Sequence, residues 1–329
     1  MQHSIRLAVL ALVSSLVAAS CGGGGSEESG AGLTDSQRAA AATDTARNNP
    51  LCAADRLGSY YWEIGNKDGA LASGSIGPGN IGADTAMDIA SASKWPFAAY
   101  VVEKYANWRN YLPYLHFTSG YSNFSNAVCQ NDDTVAQCMN GGINSAEEAA
   151  GTFHYEGGHM QQLGIDLGLG QMHADNLANE VSGTLGVPFQ YVSAQPPGGI
   201  HTSARTYATF LRRLLVDSRS PLQLGPLLGS SAVCTDPEHC NASTDNTFIS
   251  EPFDYSLGHW VENIATTTPA SNFAYSSAGA FGFYPWVDFD RKLYGIVARQ
   301  NYNLAVRQGY SSLECGRLLR LAWKTGTTQ

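Results

Sequence analysis

The residues whose types and spacing could do chemistry are Ser91 and Lys94, in the run Ser91-Ala92-Ser93-Lys94. A serine hydroxyl is a weak nucleophile until a neighbouring base takes its proton. Three positions of separation put the two side chains on one face of a helical turn. A lysine buried against apolar walls loses basicity and becomes a usable general base. A helix starting at the serine would aim free N–H groups at a developing oxyanion. Together these would support acyl transfer through a serine. By itself the tetrad is better read as a solvated lysine beside an N-cap serine. His154, His159, His201 and His259 could tune such a pocket or serve only the fold. His154 and His159 do not form the HExxH spacing of zinc hydrolases, and nothing points to a metal or other cofactor. Cys234 and Cys240 with His239 between them could hold a metal, but the spacing matches no common zinc pattern.

The elements that must position these groups are legible in outline. Thr34 and Asp35 signal the start of an Ala-rich helix over Asp35–Asn48. Residues 59–62 and 70–76 read as strands joined by the turn Asn66-Lys67-Asp68-Gly69. Residues 93–105 show helical spacing, with Pro96 tolerated in the first turn. Helices are predicted over 152–169 and 203–216, strands over 273–280, 283–288 and 293–299, and an amphipathic closing helix over 311–323. Strands at both ends with helices between predict an α/β (α+β) domain: a sheet carrying a helical insertion.

The 329 residues carry a net charge of −9, are 43% hydrophobic and only 14% charged, and include 35 glycines. That excludes a coiled coil or an acidic disordered chain, and without a Lys/Arg cluster it argues against a nucleic-acid partner. Arg6, an apolar stretch over 7–19 and then Ser20 make a secretory signal peptide over 1–20. Leu16-Val17-Ala18-Ala19-Ser20-Cys21 resembles a bacterial lipobox, although Ala18 stands where leucine is usual. The resemblance implies acylation of Cys21 and attachment to a membrane of the bacterial cell envelope, the outer membrane for preference, with a periplasmic form as the alternative. Residues 21–48 then read as tether and N-terminal segment, and 49–329 as the functional domain. Six cysteines remain, an even number suited to an oxidising compartment. Short loops favour Cys129–Cys138 and Cys234–Cys240, which leaves Cys52–Cys315, though six cysteines leave 15 pairings open.

Further segments follow the tetrad in a telling order. They are 115–120 (LHFTSG), 153–158 (FHYEGG), 198–205 (GGIHTSAR), 255–260 (YSLGHW) and 275–288 (YSSAGAFGFYPWVD). With Ile89-Ala90-Ser91-Ala92-Ser93-Lys94 at their head, they resemble the serine β-lactamase-related hydrolases. That group includes class C β-lactamases, penicillin-binding carboxypeptidases, esterases and aminohexanoate-oligomer hydrolases. The resemblance spans about residues 50 to 323. It implies a β-lactamase/transpeptidase-like fold, an antiparallel sheet flanked by helices plus a helical subdomain. It also implies Ser91 as acylated nucleophile, Lys94 as its base and Tyr155 as proton shuttle. The oxyanion hole would be the N–H groups of Ser91 and Ala280, on the third-motif segment with Ser277 and Gly279. Tyr121-Ser122-Asn123 mimics the tyrosine motif but comes too early. Lys324-Thr325-Gly326 mimics the third motif but stands three residues from the end, and reads as a frayed tail.

Two departures narrow the activity. Ser277-Ala278-Gly279 stands where β-lactamases have Lys-Thr-Gly, and Tyr155-Glu156-Gly157 where they have Tyr-x-Asn. The missing cation and amide would hold the carboxylate and acyl-amide of a β-lactam, so little β-lactamase activity is expected and the expected substrate is a small ester or amide. The alternatives are a D-Ala carboxypeptidase or β-lactamase-like cell-wall enzyme, and a catalytically inactive envelope-binding protein on the same scaffold.

Overall fold

The computed structural model describes residues 32–124, 129–139, 150–243, 251–263, 270–303 and 307–329. Cys21 and the segment expected to be a signal peptide lie outside these residues. The expected hairpin is present. β1 (Tyr60–Asn66) and β2 (Gly69–Ile76) pair antiparallel. Asn66 Oδ1 closes their turn by accepting from the N–H groups of Asp68 and Gly69, at 2.9 and 3.3 Å. The rest of this sheet comes from the far end of the chain. β6 (Asp254–Ser256), β7 (His259–Glu262), β8 (Ala274–Ser276), β9 (Tyr284–Asp288) and β10 (Tyr294–Ala298) follow one another. The strand order is β2-β1-β10-β9-β8-β7-β6, antiparallel throughout, so both ends of the sequence meet where Trp62 faces Val297. A second, small sheet has the order β3-β5-β4, from Met87–Asp88, Ile200–Thr202 and Gln190–Tyr191.

Alternation along β10 shows how the large sheet is covered. Arg299, just past β10, donates to Ser312 Oγ at 2.7 Å, and Gly316 packs against Val297; both partners lie on the closing helix Gln308–Thr325. Tyr294 points the other way and hydrogen-bonds Arg212, the last residue of the helix Ala204–Arg212. The sheet is therefore sandwiched between helices. In chain order the helices are α1 (Asp35–Asn48), α2 (Ala54–Leu57), α3 (Lys94–Lys104), α4 (Leu112–Leu115), α5 (Val135–Met139), α6 (Gly158–Gly164), α7 (Ala174–Leu185), α8 (Ala204–Arg212) and α9 (Gln308–Thr325). α1 opens with a capping box between Thr34 and Gln37 and packs along α9. The disulfide Cys52–Cys315 staples the segment after α1 to α9, and Cys129–Cys138 and Cys234–Cys240 close short loops. Both sulfurs of the candidate metal segment are therefore bonded to each other.

Three expectations are corrected. The helix expected over 152–169 starts only at Gly158, because Phe153 forms a parallel bridge with Ala242 and holds the preceding residues extended. The strand expected over 273–280 ends at Ser276, the last residue paired with β7, opposite Trp260. Beyond it the backbone N–H groups bond toward the β9 side, Ser277 N–H to Pro285 O at 3.2 Å and Gly279 N–H to Phe283 O at 2.8 Å. The C-terminal tail is not frayed. Lys324 and Thr325 complete α9, Gly326 caps it in the left-handed conformation, and Gln329 N–H donates to Thr45 Oγ1 of α1 at 3.0 Å.

Candidate active site

Ser91 sits in a single turn of 3₁₀ helix, Ala90–Ser93, which runs straight into α3. That turn is held from four sides. Ile89 N–H donates to Ile200 O at 3.1 Å, and Ile200 N–H to Ser93 Oγ at 3.1 Å, which fixes it on β5. Tyr207 of α8 donates to Ala92 O at 2.8 Å. Ser277 Oγ donates to Ser91 O at 3.1 Å. Gly279 lies so close that a Cβ there would stand 2.0 Å from Ile89 O. The bracing sustains a strained backbone: Ala90, next to the nucleophile candidate, has φ of 46°.

Lys94 is the first residue of α3 and is 4% exposed. Its Nζ donates to Ser91 Oγ and to Pro197 O, both at 3.0 Å. Burial pushes its pKa down to about 8, against a partial upward pull from Glu156. The Glu156 carboxylate accepts from Gly158 N–H at 2.5 Å, and burial raises its pKa. Tyr155 completes the group. Its phenol is hydrogen-bonded with the Ser91 hydroxyl, and its ring centroid lies 5.3 Å from Lys94 Nζ. Burial pushes the phenol well above the ordinary tyrosine value, so it stays protonated at neutral pH. The ring is fixed by Trp260, stacked at 4.8 Å, with Phe117 and Tyr255 tilted and edge-on at 5.5 and 5.7 Å. Trp260 arrives on the β6–β7 hairpin, whose Gly258, at φ 77°, must lack a Cβ because one would meet Lys94 O at 2.7 Å.

Ser91, Lys94 and Tyr155, from two segments more than 60 positions apart, thus converge on one hydroxyl. Among the described residues no backbone carbonyl outside the helix accepts from the N–H of Ser91 or of Ala280. A serine hydroxyl bonded to a low-pKa amine and a phenol is an arrangement that can support acyl transfer. His159 is structural: Ser119 Oγ is 2.7 Å from its Nδ1 and His154 O 3.0 Å from its Nε2, and burial takes its pKa down to about 3. His259 is also structural, with Nε2 accepting from Gly229 N–H at 3.0 Å and the ring stacked on Trp95 at 5.4 Å. Tyr121 stacks on Tyr114 at 6.0 Å. A cleft of about 600 Å³ elsewhere is lined by Asp35, Arg38, Asp288 and Lys324 among others, and contains none of the three converging residues.

No family model matches the chain, and no curated protein does. Solved structures do. A β-lactamase/D-alanine carboxypeptidase from Yersinia pestis matches with a TM-score of 0.57 at 14% identity, over 81% of this chain and 93% of the other. EstCE1, a hydrolase with promiscuous acyltransferase activity, matches at 0.56 and 11%, over 84% and 99%. A D-stereospecific amidohydrolase from Streptomyces matches at 0.51 and 14%, over 80% and 94%. The chain has the serine β-lactamase fold. Within that fold, the small sheet and α3 present Ser91 and Lys94, and the 277–280 segment closes the large-sheet side. The sequence reading missed Pro197 O, which anchors Lys94 from 103 positions away, and the bracing of Ala90. The run Pro196-Pro197-Gly198-Gly199 was the available signal for a sharp turn there.

Proposed function

We propose that this chain is a serine hydrolase cleaving a small uncharged ester or amide through an acyl-enzyme on Ser91. The observation that carries the reading is a buried Lys94 whose Nζ lies 3.0 Å from Ser91 Oγ. Neutral Lys94 takes the hydroxyl proton as Oγ bonds to the substrate carbonyl carbon. The oxyanion that forms lies between the N–H groups of Ser91 and Ala280. Collapse of the tetrahedral intermediate breaks the bond to the leaving oxygen or nitrogen, which receives a proton through Tyr155. Water then repeats the sequence on the acyl-enzyme, with its proton taken by the same relay, and releases the acid and free Ser91.

The third-motif segment favours an uncharged substrate. Ser277 is neutral and already donates to Ser91 O. An anionic acyl group would lack a charge-assisted bond there, worth about 1.5–3 kcal/mol. The test is labelling by a fluorophosphonate and turnover of a short-chain p-nitrophenyl ester, with Ser91→Ala alongside. Ser91-dependent labelling and turnover are expected; a protein inert to both is a binding protein instead. Labelling by fluorescent penicillin would move the assignment to a carboxypeptidase. We propose further that Cys21 is acylated and anchors the enzyme in the bacterial envelope. The lipobox-like run and disulfides suited to an oxidising compartment support this. Radiolabelled palmitate should enter the full chain and not its Cys21→Ala variant.

A further inference from the structure

Asp88 stands three residues before Ser91, on β3. Its two carboxylate oxygens hold partners from distant segments. Oδ1 lies 2.7 Å from His201 Nδ1 on β5, and Oδ2 accepts from the Tyr302 hydroxyl at 2.6 Å. Gln300 Nε2 donates to that same hydroxyl at 2.5 Å. Tyr302 is 60% exposed, so these bonds, rather than burial, hold its ring. The ring meets Phe281 edge-on at 4.6 Å, and Asn301 N–H donates to Phe281 O at 2.9 Å. Phe281 directly follows Ala280.

A chain of contacts therefore runs from the strand that delivers the nucleophile to the turn that delivers the second oxyanion donor. Resting on the acyl-enzyme reading above, we propose that Asp88 is a positioning residue: it ties the 280–281 turn to the Ser91 segment and so sets the spacing of the two oxyanion N–H groups. Oxyanion donors act only when they are preorganised. The segment before the 280–281 turn donates its N–H groups toward the β9 side and reaches the Ser91 segment through Ser277 Oγ; the Asp88–Tyr302–Phe281 contacts add a tie at the turn itself. A carboxylate is the group for it, because each oxygen accepts independently and two donors can be held at once. An asparagine of the same shape keeps one acceptor and turns an N–H group toward the other donor.

Asp88→Asn and Tyr302→Phe in the full chain test the tie. Removing one oxyanion donor outright costs about 10²–10³ in kcat, so loosening one is expected to cost about tenfold or more. In both variants kcat on the p-nitrophenyl ester should fall by that factor, with KM within about twofold. Fluorophosphonate labelling should slow in parallel, and the double variant should be no worse than Asp88→Asn alone. Amide exchange at residues 278–283 should quicken in both. Wild-type kcat with unchanged exchange in either variant overturns the proposal. So does a rise in KM at constant kcat, which would make Tyr302 a substrate contact. Tyr302→Phe alters an exposed side chain and carries the test where Asp88→Asn fails to fold. A wild-type protein without Ser91-dependent turnover would instead sink the hydrolase reading, and the exchange comparison would still decide the tie.

Discussion

Replacing Lys94 by methionine should make the protein more stable and inactive at once. Methionine matches the lysine stem in shape and has no charge to bury. The fall in the Lys94 pKa from 10.5 to about 8 is the net of the burial penalty on the ammonium and the opposing pull of Glu156. At about 1.4 kcal/mol per pKa unit it amounts to on the order of 3 kcal/mol. Against this, Lys94→Met leaves Pro197 O without its donor, a loss of about 1–2 kcal/mol. The net gain at pH 7 is therefore about 1–2 kcal/mol. Its pH dependence is the distinguishing feature. The folded value lies below the unfolded one, so the penalty on the wild type is complete below pH 8. It fades as the pH rises through 8 toward 10.5, because there the unfolded chain binds the proton and the folded one does not. Urea melts of the two proteins at pH 7 and pH 10 should show the advantage of Lys94→Met shrinking or reversing. Activity follows the same group. With a pKa of about 8, only about one-tenth of Lys94 is neutral at pH 7. Acylation by wild type should rise nearly tenfold per pH unit below 8 and then level off, while Lys94→Met should lose at least 10³-fold. A flat profile between pH 6 and 9, or a variant retaining a tenth of wild-type turnover, would refute the role given to this lysine.

Three further outcomes follow from the same geometry. Glu156 pulls the Lys94 pKa upward, so Glu156→Gln should move the acid limb of the pH–rate profile to lower pH; a limb that stays in place or moves up contradicts the coupling. Gly279→Ala must push the third-motif segment away from Ile89 O, which a Cβ would approach to 2.0 Å; turnover should drop by about 10²-fold or more, read by ester hydrolysis, with far-UV circular dichroism unchanged. Removing Cys52–Cys315, which closes the chain over a separation of 263 positions, should cost about 2–5 kcal/mol in urea-melt stability while Ser91 labelling of the folded fraction continues.

What could be read ahead of the structure was mostly what is local. Ser91 and Lys94 share a face through i, i+3 spacing, and the contact between Nζ and Oγ follows from that spacing. The Asn66–Gly69 turn and the capping at Thr34 are equally local. The placement of Tyr155 beside Ser91 was reachable only through the order of motifs, since nothing in Phe153-His154-Tyr155 separates a site residue from a core aromatic. Periodicity failed where tertiary pairing decided: the Phe153–Ala242 bridge delays α6, and pairing with β7 stops at Ser276. Asp88, His201 and Tyr302 were invisible as a group because 113 and 214 positions separate the partners. The docked C-terminus likewise depends on α1, at the opposite end of the chain.

Two buried cations differ in whether their surroundings favour the charged form. Arg320 is fully buried; burial pulls its pKa down, but Tyr284 and Glu262 outweigh that and keep it above the ordinary arginine value. Its guanidinium meets Glu262 at 2.8 Å and Asn272 O at 2.8 and 3.1 Å. Such a group is compensated in its charged form, and losing its proton would strand Glu262. Lys94 is buried as deeply, but its hydrogen-bond partners are a hydroxyl and a carbonyl, and Glu156 offsets only part of the burial cost. Its charged and neutral forms are consequently close in free energy near neutral pH, which is what a general base requires. Compensation, not burial, separates the two. The same reasoning limits Glu156: any change that strengthens its pull on Lys94 raises the amine's pKa and withdraws the neutral form that the proposed acylation requires.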